Sequence, residues 1–196
     1  MFANGAVTAA FARAFGEAAS GGFRAPGGGG VTRVTAEARK AFRSLASGLE
    51  GTPHDSEMAA ALAFADVFVP YTEQYGLEVG ANIEAGDFRI ADITLGGRGS
   101  VATPSNVLAI ADVHTHPAGS GPGLSGTLRF VGGRLQTSSY GDYGTNWSRR
   151  TNGYVFQAGG ARSAWMFDYG AFEASVRSSR VTGADTYAEW FTKPIR

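Results

Sequence analysis

The run Asp112-Val113-His114-Thr115-His116-Pro117 spends two of the chain's three histidines within three positions. It follows an apolar segment, Val107-Leu108-Ala109-Ile110-Ala111, that reads as a β-strand. Side chains alternate along a strand, so His114 and His116 project from one face, where both imidazoles can reach one metal ion. Pro117 cannot extend the ladder and marks the strand's end. A zinc ion used for hydrolysis takes three protein ligands and keeps a fourth position open. The chain has no cysteine, so the third ligand is a carboxylate or the remaining histidine, His54. Two acids are candidates for work at such a site. Asp142 lies in the turn-rich stretch Ser138-Ser139-Tyr140-Gly141-Asp142-Tyr143-Gly144, close to a possible helix start. Glu78 lies inside an apolar strand pattern, where an acid is costly unless paired, bound or at work.

The elements that must position these residues follow from periodicity. The start, residues 6–17, reads as a short helix with Val7, Phe11 and Phe15 spaced by four, and runs into a linker containing four glycines at 27–30. No Lys-Ser or Lys-Thr follows those glycines, which argues against a phosphate-cradling loop. Residues 33–49 read as a helix ended by Gly51 and Pro53. A second helix starts at Asp55 or Ser56 and runs to about Val69, before Pro70. His54 precedes that cap, a place for an exposed turn residue. Strands then take over. Leu77 to Ile83 and Phe88 to Leu95 flank a hairpin turn at 84–87. The loop Gly96 to Asn106 leads into the strand ending at the histidines. A small hairpin is expected around Gly132-Gly133, and a second around Gly159-Gly160. Residues 170–179 are helical in pattern, and the end from Asp185 reads as a short helix or ordered tail. Helices followed by strands with a later helix imply an α+β fold.

Composition sets the outer bounds. At 196 residues, 43% of them hydrophobic, the chain can bury a sizeable core. Seventeen basic residues balance seventeen acidic ones, which gives no electrostatic argument for nucleic acid or a membrane surface. Residues 51–100 carry eight acids against two bases, an unfavourable setting for a phosphate backbone. No apolar stretch approaches a membrane span, and the start has no basic segment leading into a long apolar core, so no signal peptide is read there.

Taken in order, Glu78, His114-Thr115-His116-Pro117 and Ser139-Tyr140-Gly141-Asp142 resemble the motif of the JAMM (JAB/MPN) metallopeptidases. The resemblance implies a JAMM/cytidine-deaminase-like mixed β-sheet flanked by helices. It implies Zn2+ held by His114, His116 and Asp142, with Glu78 as general base and Ser139 as the hydroxyl that stabilises the tetrahedral intermediate. Glu73 and Glu84 compete for the role of base. Glu78 is preferred because Glu-x-Gly-x-x-Ile is similar to the family's glutamate strand, with a Gly two residues on that permits close backbone approach. The chain departs from the family in spacing, since 22 residues separate His116 from Ser139. Ser125 sits close to the usual spacing, but Leu128, three residues later, cannot bind metal. Ser139 and Asp142 are therefore favoured, and an inserted loop and hairpin are read at about 118–138.

The opening, Asn4 to Phe15, is similar to the segment preceding C-terminal toxin domains of bacterial Rhs-type and other polymorphic toxins. The body is similar to an uncharacterised JAMM-like domain found at such C-termini. The implied organisation is a pre-toxin segment and linker over 1–30 and a catalytic domain over 31–196. The implied function is a secreted antibacterial effector, delivered into a target cell by a specialised secretion system. Its implied partners are a delivery protein to which it is fused or bound, a cognate immunity protein, and a peptide or peptidoglycan-peptide substrate. Neither nucleic acid nor a membrane span is expected. Two other classes compete: a metal-free binding module on the same fold, and a metal-dependent nuclease toxin. Asp-Val-His-Thr-His also resembles the opening of amidohydrolase barrels, but a barrel needs about 250 residues, and the 80 that follow His116 contain no further histidine.

Overall fold

The alternation that makes a strand of the His-Thr-His run is seen directly in the computed structural model, which describes residues 34–120, 123–137, 141–159 and 163–195. The helix expected at 6–17 and the Gly-rich linker lie outside the described residues. Two helices come first. Helix α1, Ala36–Leu49, starts where the Thr35 hydroxyl accepts the Ala38 N–H at 3.0 Å. Helix α2, Glu57–Tyr75, starts where Ser56 does the same for Ala59 at 3.1 Å. It ends at Gly76, whose left-handed backbone closes the last turn.

Pro70 was expected to stop α2, yet it lies inside the helix. A proline in a helix interior costs about 3 kcal/mol through its lost N–H and ring clash. Tertiary anchors beyond it hold the last turns in place. The Tyr71 hydroxyl donates to the Ala38 carbonyl at 3.0 Å. The Thr72 hydroxyl is paired at 2.6 Å with that of Thr115, the residue between the two histidines.

The strands are β1 Val79–Glu84, β2 Ile90–Leu95, β3 Ala109–His116, β4 Leu128–Val131, β5 Arg134–Thr137, β6 Asn152–Gln157, β7 Ala164–Phe167, β8 Thr186–Tyr187 and β9 Thr192–Pro194. Six of them form one mixed sheet in the order β2-β1-β3-β6-β7-β9, in which β3 and β6 run parallel and the other pairs antiparallel. The other three form a small sheet, β5-β4-β8. Two further helices complete the described residues: α3, Asp142–Arg149, and α4, Tyr169–Thr182. The α+β class read from the sequence is therefore observed, with a mixed sheet flanked by helices. The segment from Asp185, expected as a short helix or ordered tail, holds a short 3₁₀ helix at Ala188–Phe191 flanked by two short strands, β8 and β9, that were not expected. Its short strands close open edges of both sheets.

Each face of the main sheet has its own core. Phe64, Phe68 and Val69 of α2 pack with Val79, Ala81 and Ile83 of β1, Val113 of β3, and Tyr154 and Phe156 of β6. Burying each aromatic ring contributes about 1.5–3 kcal/mol. The opposite core gathers Leu128 and Phe130 of β4, Tyr143 of α3, Phe167 of β7, and Phe172 and Val176 of α4. Because β3 alternates, Val113 and Thr115 serve the first core, and Asp112, His114 and His116 are left for the other face.

Candidate metal centre

Both histidines sit at the buried end of β3, His114 only 4% and His116 9% exposed. Thr115 anchors the strand from behind. Besides its bond to Thr72, its hydroxyl accepts the Val79 N–H at 3.0 Å, so the backbones of β1 and β3 are tied at the level of the histidines. On the site face, Gly80 of β1 lies opposite His114. The antiparallel register then brings Glu78, just before the strand, level with His116. The loop after β2 folds over Gly80, and a Cβ there would stand 2.9 Å from the Thr103 methyl and 3.1 Å from Val101. The close approach expected two residues after Glu78 is thus made by this loop.

The third member arrives from helix α3. Asp142 is its first residue, where a carboxylate also complements the helix dipole. Its backbone N–H donates to the Ser125 hydroxyl at 3.3 Å, and its carboxylate accepts the Ser125 N–H at 2.6 Å. The Tyr143 N–H donates to the Ser125 carbonyl at 3.3 Å. Gly141, immediately before, has φ +127°, and a Cβ on it would lie 2.8 Å from the Gly126 Cα. The hairpin β4–β5 therefore leaves at Ser125-Gly126 and returns at Gly141-Asp142, with its two ends in contact. Ser139 lies outside the described residues. Among the described residues the serine in contact with Asp142 is Ser125, passed over in the sequence because Leu128 stands where a ligand would be expected. The chain between Ser125 and Asp142 is thus closed by the hairpin, which brings two distant residues together.

The donor atoms converge. His114 Nε2 is 3.0 Å from His116 Nε2 and 3.4 Å from Asp142 Oδ1. One donor atom from each of the three residues falls within a 4.8 Å cluster. Zinc bound tetrahedrally at its usual distances needs donor atoms about 3.3 Å apart, so the two distances from His114 Nε2 suit such an ion, and the set fits it in number and chemistry. Among the described residues no other group of His, Asp and Glu side chains is arranged to hold a metal. His54, the alternative third ligand, lies elsewhere, its backbone N–H bonded to Asp87 in the turn between β1 and β2.

Electrostatics separates the acids. Burial pushes the Glu78 carboxyl up to about 7, with the Asp142 charge adding to the rise and the His114 charge opposing it. Burial acts on Asp142 in the same direction, but the neighbouring His114 ring and the Ser125 N–H hold it well below the ordinary carboxylate range. Burial works against a charge on His114, yet Asp142 and Asp112 on its two sides lift its pKa well above the usual histidine value. Two carboxyl groups in one site are thus tuned apart, the pattern that divides a proton acceptor from a permanently ionised ligand. Glu84, a competitor for the base, is bonded to the Asn106 amide at 2.8 Å, and Glu73 accepts the Gly159 N–H at 3.1 Å. Comparison with protein-family models, with curated proteins and with solved structures finds no match to this chain.

Proposed function

We propose that the protein is a zinc-dependent hydrolase of amide or isopeptide bonds, JAMM-like in its site and fold. The observation that carries the reading is the convergence of His114, His116 and Asp142 beside a buried Glu78 whose pKa is raised to about 7. Zinc held by the three residues supplies an acidified water and a polarised substrate carbonyl. The buried Glu78 carboxylate would take the water's proton and return it to the leaving amine. The Ser125 hydroxyl oxygen accepts the Asp142 N–H, which leaves its own hydrogen free to donate to the developing oxyanion. Ser125 thereby takes the role that the resemblance implied for Ser139.

In its biological setting the domain acts as an effector carried by a delivery protein and neutralised by a cognate immunity protein. This setting is supported by the resemblance of Asn4 to Phe15 to segments that precede toxin domains. The substrate is a peptide, an isopeptide-linked protein tail or a peptidoglycan peptide, and the acidic balance of residues 51–100 disfavours nucleic acid. A metal-free binding module is the second reading. It is favoured by one observation: Asp112 and Asp142 already flank His114 on both ring nitrogens.

Zinc content and hydrolysis, measured together, separate the readings. Protein purified with zinc should hold about one ion per chain and cleave members of a panel of peptides, isopeptide conjugates and muropeptides. His116→Ala should abolish both. Zinc-free wild type that binds peptide with unchanged affinity after His116→Ala would establish the binding module. Cleavage of DNA or RNA by the zinc-loaded protein would establish the nuclease.

A further inference from the structure

Three residues that bind no metal form a continuous path to His114. Asp112 lies two residues before it on β3, on the same face and only 8% exposed. One of its oxygens, Oδ1, is 3.5 Å from His114 Nδ1. The other, Oδ2, accepts the Thr103 hydroxyl at 2.6 Å and lies 3.5 Å from Arg149 Nη1. Arg149 Nη1 donates to that same hydroxyl at 2.6 Å, and Nη2 donates to the Thr103 carbonyl at 2.7 Å. Arginine is donor only, so the Thr103 hydroxyl must accept from Arg149 and pass its own proton toward Asp112. The polarity of the chain is fixed from one end to the other.

Arg149 is also the last residue of α3, the helix whose first residue is Asp142. Seven residues make two helical turns, so both side chains lie along one edge of the helix. Helix α3 is therefore held against β3 at both ends, through Asp142 to His114 at its start and through Arg149, Thr103 and Asp112 at its finish.

We propose that Arg149, Thr103 and Asp112 form a positioning relay that sets the ring orientation and tautomer of His114 and the placement of Asp142. Metal affinity then depends on a guanidinium whose hydrogen bonds reach none of the three ligands. A carboxylate on Nδ1 keeps the proton on that nitrogen and leaves the Nε2 lone pair facing His116 and Asp142, where the ion would sit. Asp112 serves only while its carboxyl is rotated to meet both His114 and Thr103. Arg149 balances its buried charge, and Thr103 fixes its second oxygen. The relay rests on the zinc reading above.

The test is zinc affinity of the full chain, by competition with a chromophoric chelator, together with nitrogen-15 NMR of the histidine rings. Zinc-loaded wild type should show His114 with its proton on Nδ1. Arg149→Met and Asp112→Ala should weaken zinc binding about 10–100-fold. Thr103→Val should weaken it by less, and Arg149→Lys should restore only part of the loss. Melting curves identify the folded variants; if Arg149→Met does not fold, Arg149→Lys and Thr103→Val carry the test. Folded relay variants that bind zinc as tightly as wild type, with the His114 tautomer unchanged, would overturn the relay and leave the zinc site standing. Wild type that takes up no zinc would overturn the zinc reading, and the relay with it.

Discussion

Glu78→Gln should inactivate the protein and, at alkaline pH, make its metal-free form more stable. Glu78 is 4% exposed, and burial raises its pKa from 4.5 to about 7. Between those two values the folded state binds a proton that the unfolded state has released, so unfolding is increasingly favoured as pH rises. The gap is 2.5 pK units, which at 1.36 kcal/mol each gives a penalty of about 3 kcal/mol, complete only above pH 7. At pH 5 most of it is absent, and less than about 1 kcal/mol remains. Glutamine keeps the shape of the side chain and carries no charge, so the variant escapes the penalty. In a domain of this size 1 kcal/mol moves Tm by about 2–4 °C, so the variant should melt about 6–12 °C above wild type at pH 8. At pH 5 the two should nearly coincide. The assay is thermal unfolding in chelator-treated buffer at both pH values. A variant less stable than wild type at pH 8, or one stabilised equally at both, would refute the reasoning, because the carboxylate would then be well accommodated in the fold. The pairing of lost activity with gained stability is expected where function requires a buried ionisable group.

Four other substitutions probe the scaffold and the site. Thr115→Val removes the partner of both the Thr72 hydroxyl and the Val79 N–H and should cost about 2–4 kcal/mol in urea denaturation; a loss below 0.5 kcal/mol, on the order of a surface substitution, would show that the threonine does not tie β1 to β3. Ser125→Ala should lower kcat about 100–1000-fold with zinc affinity little changed, whereas Ser139→Ala should leave kcat near wild type; the reverse ranking in a steady-state assay would return the oxyanion role to Ser139. Gly141→Ala places a Cβ against Gly126 at a φ that suits glycine and should cost about 1–3 kcal/mol. It should also weaken zinc binding by displacing Asp142, and chelator competition that finds no change would mean that the hairpin ends need not touch.

The histidine pair and its strand were legible because alternation along β3 is a local property of eight consecutive residues. Helix α1 and the start of α2 were legible for a similar reason, since caps and apolar spacing act within a turn. Proline at 70 misled because the anchors that carry α2 through it, Tyr71 to Ala38 and Thr72 to Thr115, span 33 and 43 residues. The Ser125–Asp142 contact was not legible because the partners lie seventeen positions apart, across a hairpin whose ends approach closely at Gly126 and Gly141. Periodicity carries no signal for such a contact, although the small residues at both ends were visible. Asp112 stood in the opening motif, but its role depends on a loop folding back over Gly80 and on the far end of α3. The sequence order of Glu78, the histidines and Asp142 survives in space because three elements deliver them to one face. The C-terminal strands pair over too few residues to leave a pattern.

Crystals of the protein grown with zinc and measured at the zinc absorption edge test the metal centre most directly. The expected result is one strong anomalous peak in contact with His114 Nε2, His116 Nε2 and a carboxylate oxygen of Asp142, with Glu78 beside it. A fully zinc-loaded crystal with no peak between these residues, or with its ion held elsewhere, would contradict the assignment.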